Sequence, residues 1–309
     1  MGADRFTRPP GLRPGDRIAV IAPASPFDRP SFEAGLRVLA ERYRPVVDEG
    51  CFARVRYLAG DDARRLDELT AALGDDSVRA IVAARGGYGT LRLLARLWPK
   101  LQVDSFPPKP VVGFSDITAL HLALQAAGWV SIHGPVVTQL GTQPPAVVDR
   151  LVHLLESPAT PAPPLRGTPL APGLAEGPLL GGNLSLLTRL LGTRHLPSLD
   201  GAILLLEDVS ERPYRLDRMW THLALAGVFE RVRGLALGEF TGCDEPDADY
   251  GGADVLASLV AETGLPCVRG LPVGHGAMNA PVPLGCRVRL DGSAGTLEML
   301  EPAVALPGS

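Results

Sequence analysis

Apolar positions along the first half of the chain switch repeatedly between two periods. Short, largely apolar runs at 17–22, 80–84, 110–114 and 130–133 read as buried strands. The stretches between them carry helical spacing. Phe32, Leu36, Leu39 and Ala40 share one face of a predicted helix over 31–43. Leu66, Leu69, Ala72 and Leu73 do so over 62–73, with Asp61 or Asp62 as N-cap. Further helices are predicted over 90–97 and 116–127, and a short strand over 54–58. Apolar strands alternating with helices predict an α/β domain whose parallel sheet is covered on both faces.

A helix near 146–155 leads into 157–177, where Pro and Gly dominate and the pattern lapses. This stretch reads as an interdomain linker. The expected organisation is an N-terminal domain over 1–156, the linker over 157–177, and a C-terminal domain over 178–309. In the second domain strands are predicted at 201–206 and 232–237, with helices at 216–226 and 253–263. Beyond residue 265 the pattern becomes strand and turn, at 267–269, 287–290 and 296–299, so this half is β-rich α+β.

Composition narrows the function classes. The chain has 309 residues, 46% hydrophobic and 21% charged, with formal net charge −4. That supplies a core for two domains. Its basic residues are almost all arginine, scattered among acids, with no basic stripe, so no nucleic-acid partner is expected. No run approaches the roughly 20 apolar residues of a membrane span. The apolar run after the polar N-terminus is a strand rather than a signal peptide, and a cytoplasmic address is expected. Cys51, Cys243, Cys267 and Cys286 show no metal-ligand spacing, so no metal or cofactor is expected.

Two strand ends carry unusual residues, where ligands of open α/β sheets bind. In Gly113-Phe114-Ser115-Asp116-Ile117 a strand turns directly into a helix and presents a hydroxyl. That is the logic of a nucleophile elbow, although Ile117 replaces its final glycine, and Ser115 or Asp116 could equally cap the helix. Arg85-Gly86-Gly87-Tyr88-Gly89 joins a buried strand to a helix, and its backbone N–H groups could approach an oxyanion. Its glycines lack dinucleotide-loop spacing. Among the six histidines, His275 lies in a Gly-flanked loop and His133 ends a strand at the expected site rim. His121 and His222 fall within helices, facing core or solvent. Glu207 and Asp208 close an apolar strand with two carboxylates. Ser115, His275 and either acid could form a nucleophile, base and orienting acid.

Taken together, six segments resemble the serine LD-carboxypeptidases, the murein tetrapeptide carboxypeptidases. They are the stretch from Gly15 to Pro26, Arg85 to Gly89, Gly113 to Thr118, Gly181-Gly182-Asn183-Leu184, Leu206-Glu207-Asp208-Val209 and Gly274-His275-Gly276. They occur in the family's order and span about residues 12–292. The resemblance implies a flavodoxin-like N-terminal domain, a β-rich C-terminal domain and a homodimer. It implies a catalytic Ser115, Glu207 and His275, and an oxyanion hole from the N–H groups of Gly87 and Asp116. Arg85, with Gly86 and Tyr88 beside it, becomes the candidate binder of the substrate carboxylate.

The implied substrate is a muropeptide tetrapeptide, cleaved to release its terminal D-alanine in peptidoglycan recycling. Related microcin C self-immunity peptidases cleave aminoacyl-nucleotide amides and stack the base on an aromatic loop. Residues 157–177 contain no Trp, Tyr or Phe, while Trp129 and Trp220 have no assigned place. A non-catalytic binding protein for cell-wall peptides would need the cleft but not the triad.

Overall fold

The computed structural model describes residues 6–102 and 106–306. In the first half β1 (Arg17–Ile21), β2 (Arg44–Val47), β3 (Val78–Ala83), β4 (Val111–Gly113) and β5 (Ser131–His133) pair in parallel, in the order β5-β4-β3-β1-β2. This is the flavodoxin-like order, with a topological switch point between β1 and β3. Strand alternation divides the core. Ile18, Val20 and Val82 pack under α1 (Arg29–Ala40), α5 (Val137–Leu140) and α6 (Pro145–Glu156). Ala19, Ile21 and Ile81 pack under α2 (Asp62–Gly74), α3 (Leu94–Gln102) and α4 (Thr118–Ala126). Asp28 and Asp61 cap α1 and α2 through the amides of Ser31 and Arg64, removing unsatisfied N–H groups at each start.

The second strand departs from the sequence-based expectation. It lies at 44–47, and the predicted strand at 54–58 is a turn closed by a Val55–Leu58 bridge. Pro45 lacks an N–H, which an edge strand tolerates. Val55 and Tyr57 alternate like a strand but are 46% and 55% exposed.

The stretch at 157–177 is not an unstructured connection. It contains β6 (Leu165–Arg166), β7 (Thr168–Ala171) and the start of β8 (Leu174–Asn183). After α7 (Leu184–Leu190) come β9 (Ile203–Val209), α8 (Pro213–Leu225), β10 (Gly234–Thr241), α9 (Gly252–Thr263) and β11 (Cys267–Arg269). Next follow β12 (Val282–Leu284), β13 (Arg287–Asp291) and β14 (Thr296–Met299). The second sheet runs β6-β14-β13-β8-β9-β10-β11-β7, with β8 to β11 parallel and the remaining pairs antiparallel. Because β6 and β7 are consecutive, broken only at Gly167, one stretch of chain pairs with both edges and closes the sheet on itself. The Pro and Gly residues mark a barrel corner.

One strand crosses between the halves. β12, from the second half of the chain, pairs antiparallel to β5 and extends the first sheet to six strands. No helix among the described residues is long and apolar enough to cross a membrane.

Candidate active site

Buried Val111 and Val112 carry the chain to Phe114 in extended backbone. Ser115 then adopts φ +62°, in the left-handed region. A non-glycine residue there costs about 1–2 kcal/mol, and a short 3-10 turn at Ser115–Ile117 leads straight into α4. The serine thus stands partly exposed on a strained strand-to-helix turn, the geometry of a nucleophile elbow.

The turn at 85–89 lies directly against it. A Cβ on Gly86 would sit 2.8 Å from Ser115 Cβ and 3.1 Å from its Oγ. Ser25, in the loop after β1, braces this turn: its N–H donates to Gly86 O, and its Oγ accepts from Tyr88 N at 3.1 Å. Sequence reasoning quoted Ser25 only as part of a motif; its position just past β1, at the switch point, was the available signal. Among the described residues the Gly87 N–H takes no backbone partner. The Asp116 N–H lies in the first turn of a helix, where amides lack intrahelical partners. Both suit stabilisation of an oxyanion. The Asp116 side chain has a separate task, accepting the Thr90 N–H at 2.8 Å and tying the elbow to the element after the glycine turn. Burial raises its carboxyl above the ordinary value.

The second half contributes an acid–imidazole pair. Glu207, near the end of β9, is fully buried. His275 Nδ1 lies 2.6 Å from Glu207 Oε2, with the imidazole side chain 16% exposed. Burial raises the Glu207 carboxyl, while its hydrogen bond to His275 and the imidazole's charge oppose that rise. Nδ1 engaged with the carboxylate leaves Nε2 for proton transfer. The ring packs on Phe114, centroids 4.6 Å apart, which sets it beside the residue preceding Ser115. Among the described residues no hydrogen bond yet joins Ser115 Oγ to the imidazole, a looseness common before substrate binds.

Asp208, the other acid of the strand end, faces away. It accepts from Asn183 Nδ2 at 3.0 Å and from Ser185 N and Oγ at 2.9 and 2.8 Å. Asn183 also caps α7. Arg85 is exposed and donates to Pro26 O; Tyr88, 45% exposed, rests edge-on against Tyr57.

His133 is a correction. It is wholly buried beneath Phe114 rather than at the rim, with ring centroids 5.9 Å apart. The antiparallel addition of β12 encloses the strand end that carries it. His121 is buried as well, its Nε2 2.8 Å from Gly113 O.

Comparison with known proteins agrees with this architecture. Family models described as the LD-carboxypeptidase N-terminal and C-terminal domains match residues 18–134 and 176–290. The murein tetrapeptide carboxypeptidase of Pseudomonas aeruginosa is 36% identical over 90% of this chain and 94% of its own. The crystal structure of a muramoyltetrapeptide carboxypeptidase from Oxalobacter formigenes superposes with TM-score 0.81 at 30% identity, covering 92% of this chain and 97% of that one. The microcin C7 self immunity protein MccF shares the fold with TM-score 0.85 at 21% identity, covering 97% and 100%.

Proposed function

The chain belongs to the LD-carboxypeptidase family, and we propose on that premise that it is a serine-type LD-carboxypeptidase releasing the C-terminal D-alanine of murein tetrapeptides. The observation that carries this reading is the 2.6 Å Glu207–His275 pair packed on Phe114, next to a strained Ser115. Ser115 Oγ attacks the scissile carbonyl while His275 Nε2 takes its proton. Glu207 holds the tautomer and stabilises the imidazolium. The Gly87 and Asp116 N–H groups receive the oxyanion, an interaction worth about 3–4 kcal/mol per donor. Collapse of the tetrahedral intermediate breaks the C–N bond, and His275 protonates the departing amine. Water, deprotonated by the same imidazole, then releases the tripeptide from Ser115. Arg85, at the rim of the turn, is the proposed partner of the leaving residue's carboxylate.

Peptidoglycan recycling by a cytoplasmic homodimer belongs to the same reading. Cleavage of aminoacyl nucleotides draws less support from the aromatic residues: Trp129 and Trp220 are buried, and Trp220 rests against Phe229. The test is incubation with a tetrapeptide ending in a diamino acid and D-alanine. Wild type should release D-alanine, and Ser115→Ala should not. A folded wild type that releases none refutes the proposal.

A further inference from the structure

The loop after β1 ends in a hydroxyl that the hydrolytic steps leave unused. Ala22 donates its N–H to Glu68 at 2.7 Å, and its carbonyl accepts from Arg64 at 2.7 Å. The Pro23 carbonyl accepts from Arg65, a fully buried guanidinium, and the Ala24 carbonyl accepts from the Ala59 N–H at 2.9 Å. Three successive residues are thus pinned, and Ser25 follows them, just beyond β1 and beside the switch point. The Ser25 N–H donates to Gly86 O at 3.2 Å, and its Oγ accepts from Tyr88 N at 3.1 Å. A Cβ on Gly87 would lie 2.5 Å from that Oγ, as a Cβ on Gly86 would lie 3.1 Å from Ser115 Oγ. The two hydroxyls therefore flank consecutive residues of one turn, whose Cα atoms are about 3.8 Å apart.

Ser25 is partly exposed, and its hydroxyl hydrogen has no acceptor among the described residues. A serine hydroxyl that accepts one bond keeps its donor for another partner. Arg85 stands beside it: Nη1 donates to the carbonyl of Pro26, the next residue, and its other N–H groups have no acceptor among the described residues. Asp28 feels the Arg85 charge, but its carboxylate is engaged by the Ser31 N–H at 2.9 Å. One hydroxyl donor and one guanidinium thus meet at the rim of the turn, where they suit an anion a short way beyond the scissile carbonyl. The carboxylate carbon of the leaving residue is three bonds from that carbonyl carbon, about 4 Å along the chain. We propose, resting on the hydrolase reading above, that Ser25 determines the preference for a chain end: its Oγ–H donates to the free carboxylate of the residue being released, with Arg85 alongside. The exposed guanidinium supplies charge but little direction; the hydroxyl is aimed by its bonds to the glycine turn. A peptide continuing past that residue offers a neutral amide instead, and the charge-assisted bond is lost.

Binding isotherms on Ser115→Ala protein test it; Ser115→Gly serves if that variant does not fold, because φ +62° suits glycine. The probes are a tetrapeptide with a free C-terminal carboxylate and the same peptide ending in the primary amide. The free acid should bind the more tightly. Adding Ser25→Ala should weaken the acid roughly 10- to 100-fold and leave the amide unchanged, so the preference disappears. If Ser25→Ala does not fold, Ser25→Cys keeps the packing and a weak acceptor but offers a poor donor, and the same loss is expected. Equal weakening of both peptides would reduce Ser25 to a brace of the glycine turn and overturn the proposal. A preference for the acid that survives the substitution, or that is absent before it, would also overturn it. D-Alanine release by wild type is scored separately, so failure of the hydrolase reading is recognised independently of failure here.

Discussion

Gly86→Ala isolates how closely the glycine turn is fitted to Ser115, the proposed nucleophile. Gly86 is buried and lies outside the positive-φ region, so alanine adds a methyl group without a backbone penalty. That methyl would lie 2.8 Å from Ser115 Cβ, 3.1 Å from Ser115 Oγ and 3.2 Å from Phe114 O. Carbon atoms settle at about 3.5–4.0 Å, so the two turns must part by about 0.7 Å or more. Ser115 is already held in a strained conformation and Phe114 is buried, so neither has a soft route of escape. Overpacking of this kind costs about 1–3 kcal/mol of stability. A misplacement approaching 1 Å at a reacting atom costs on the order of 100-fold in rate, and the same shift carries the Gly87 N–H away from the proposed oxyanion position. The variant should therefore fold, melt at a lower temperature, and lose roughly 10- to 100-fold in kcat with a smaller change in KM. Steady-state release of D-alanine and the rate of Ser115 labelling by a fluorophosphonate measure the two losses. A variant within twofold of wild type in both would show that the turn does not bear on the nucleophile.

Three further substitutions probe the pair and its support. Glu207→Gln should keep the fold and lower kcat roughly 10⁴-fold, because an amide no longer fixes the imidazole tautomer; retention of more than a tenth of the activity would remove Glu207 from the mechanism. At Gly274, φ is +113° and a Cβ would meet Glu207 Oε2 at 2.5 Å, so Gly274→Ala should cost about 1–3 kcal/mol and separate Glu207 from His275, seen as loss of the downfield imidazole N–H proton signal. His133 is kept neutral, its pKa well below the ordinary 6.5, first by burial and then by His121 and His275. The unfolded chain protonates this imidazole as pH falls below 6.5, so its contribution to stability is present above that pH and is lost below it. His133→Gln lacks that proton uptake, so the wild-type-minus-variant unfolding free energy should fall by up to about 1.4 kcal/mol per pH unit on acidification. Parallel urea-denaturation curves across pH 7 to 5 would contradict the assignment.

The strands at 17–21, 78–83 and 111–113 were legible because the apolar runs 18–21, 80–83 and 111–113 are buried on both faces. Helix α2 was legible from its one-sided stripe and its Asp61 cap. What escaped depended on pairing at long range. Strand β2 at Arg44–Val47 is half exposed at an edge and begins Arg-Pro, so nothing local separates it from a loop. Leu165–Arg166 and Thr168–Ala171 are strands only because two sheet edges meet them. The burial of His133 follows from β12, a strand more than a hundred residues later. At the site, Ser115 by itself could not be told from a helix cap, and Glu207 could not be told from Asp208. The β-alternation of a strand end separates the two acids, since neighbours point to opposite faces: Glu207 meets His275, while Asp208 meets Asn183 and Ser185.

The same long-range pairing bears on how the two halves of the site are kept in register. A serine on one sheet and its acid–imidazole pair on another invite the expectation that docking of two domains gates activity. The connections favour a joint assembled on folding. β12 follows the His275 loop by a few residues and is a strand of the first sheet, so that loop is anchored to the sheet bearing Ser115. Asn279, in the same loop, accepts the Gly274 N–H at 3.0 Å and donates its own N–H to Gln143 of the first half at 2.9 Å. On the other side Thr118, three residues past Ser115, accepts the Asn183 N–H at 3.0 Å. One contiguous apolar core includes Val82 and Ile132 with Leu205 and Val288, drawn from both sheets. Separating the halves would expose that core, at about 25 cal/mol per Å² of apolar surface, and break the first sheet at β12. These ties hold Ser115 and His275 in fixed relation, so activity should not depend on docking of two separate domains.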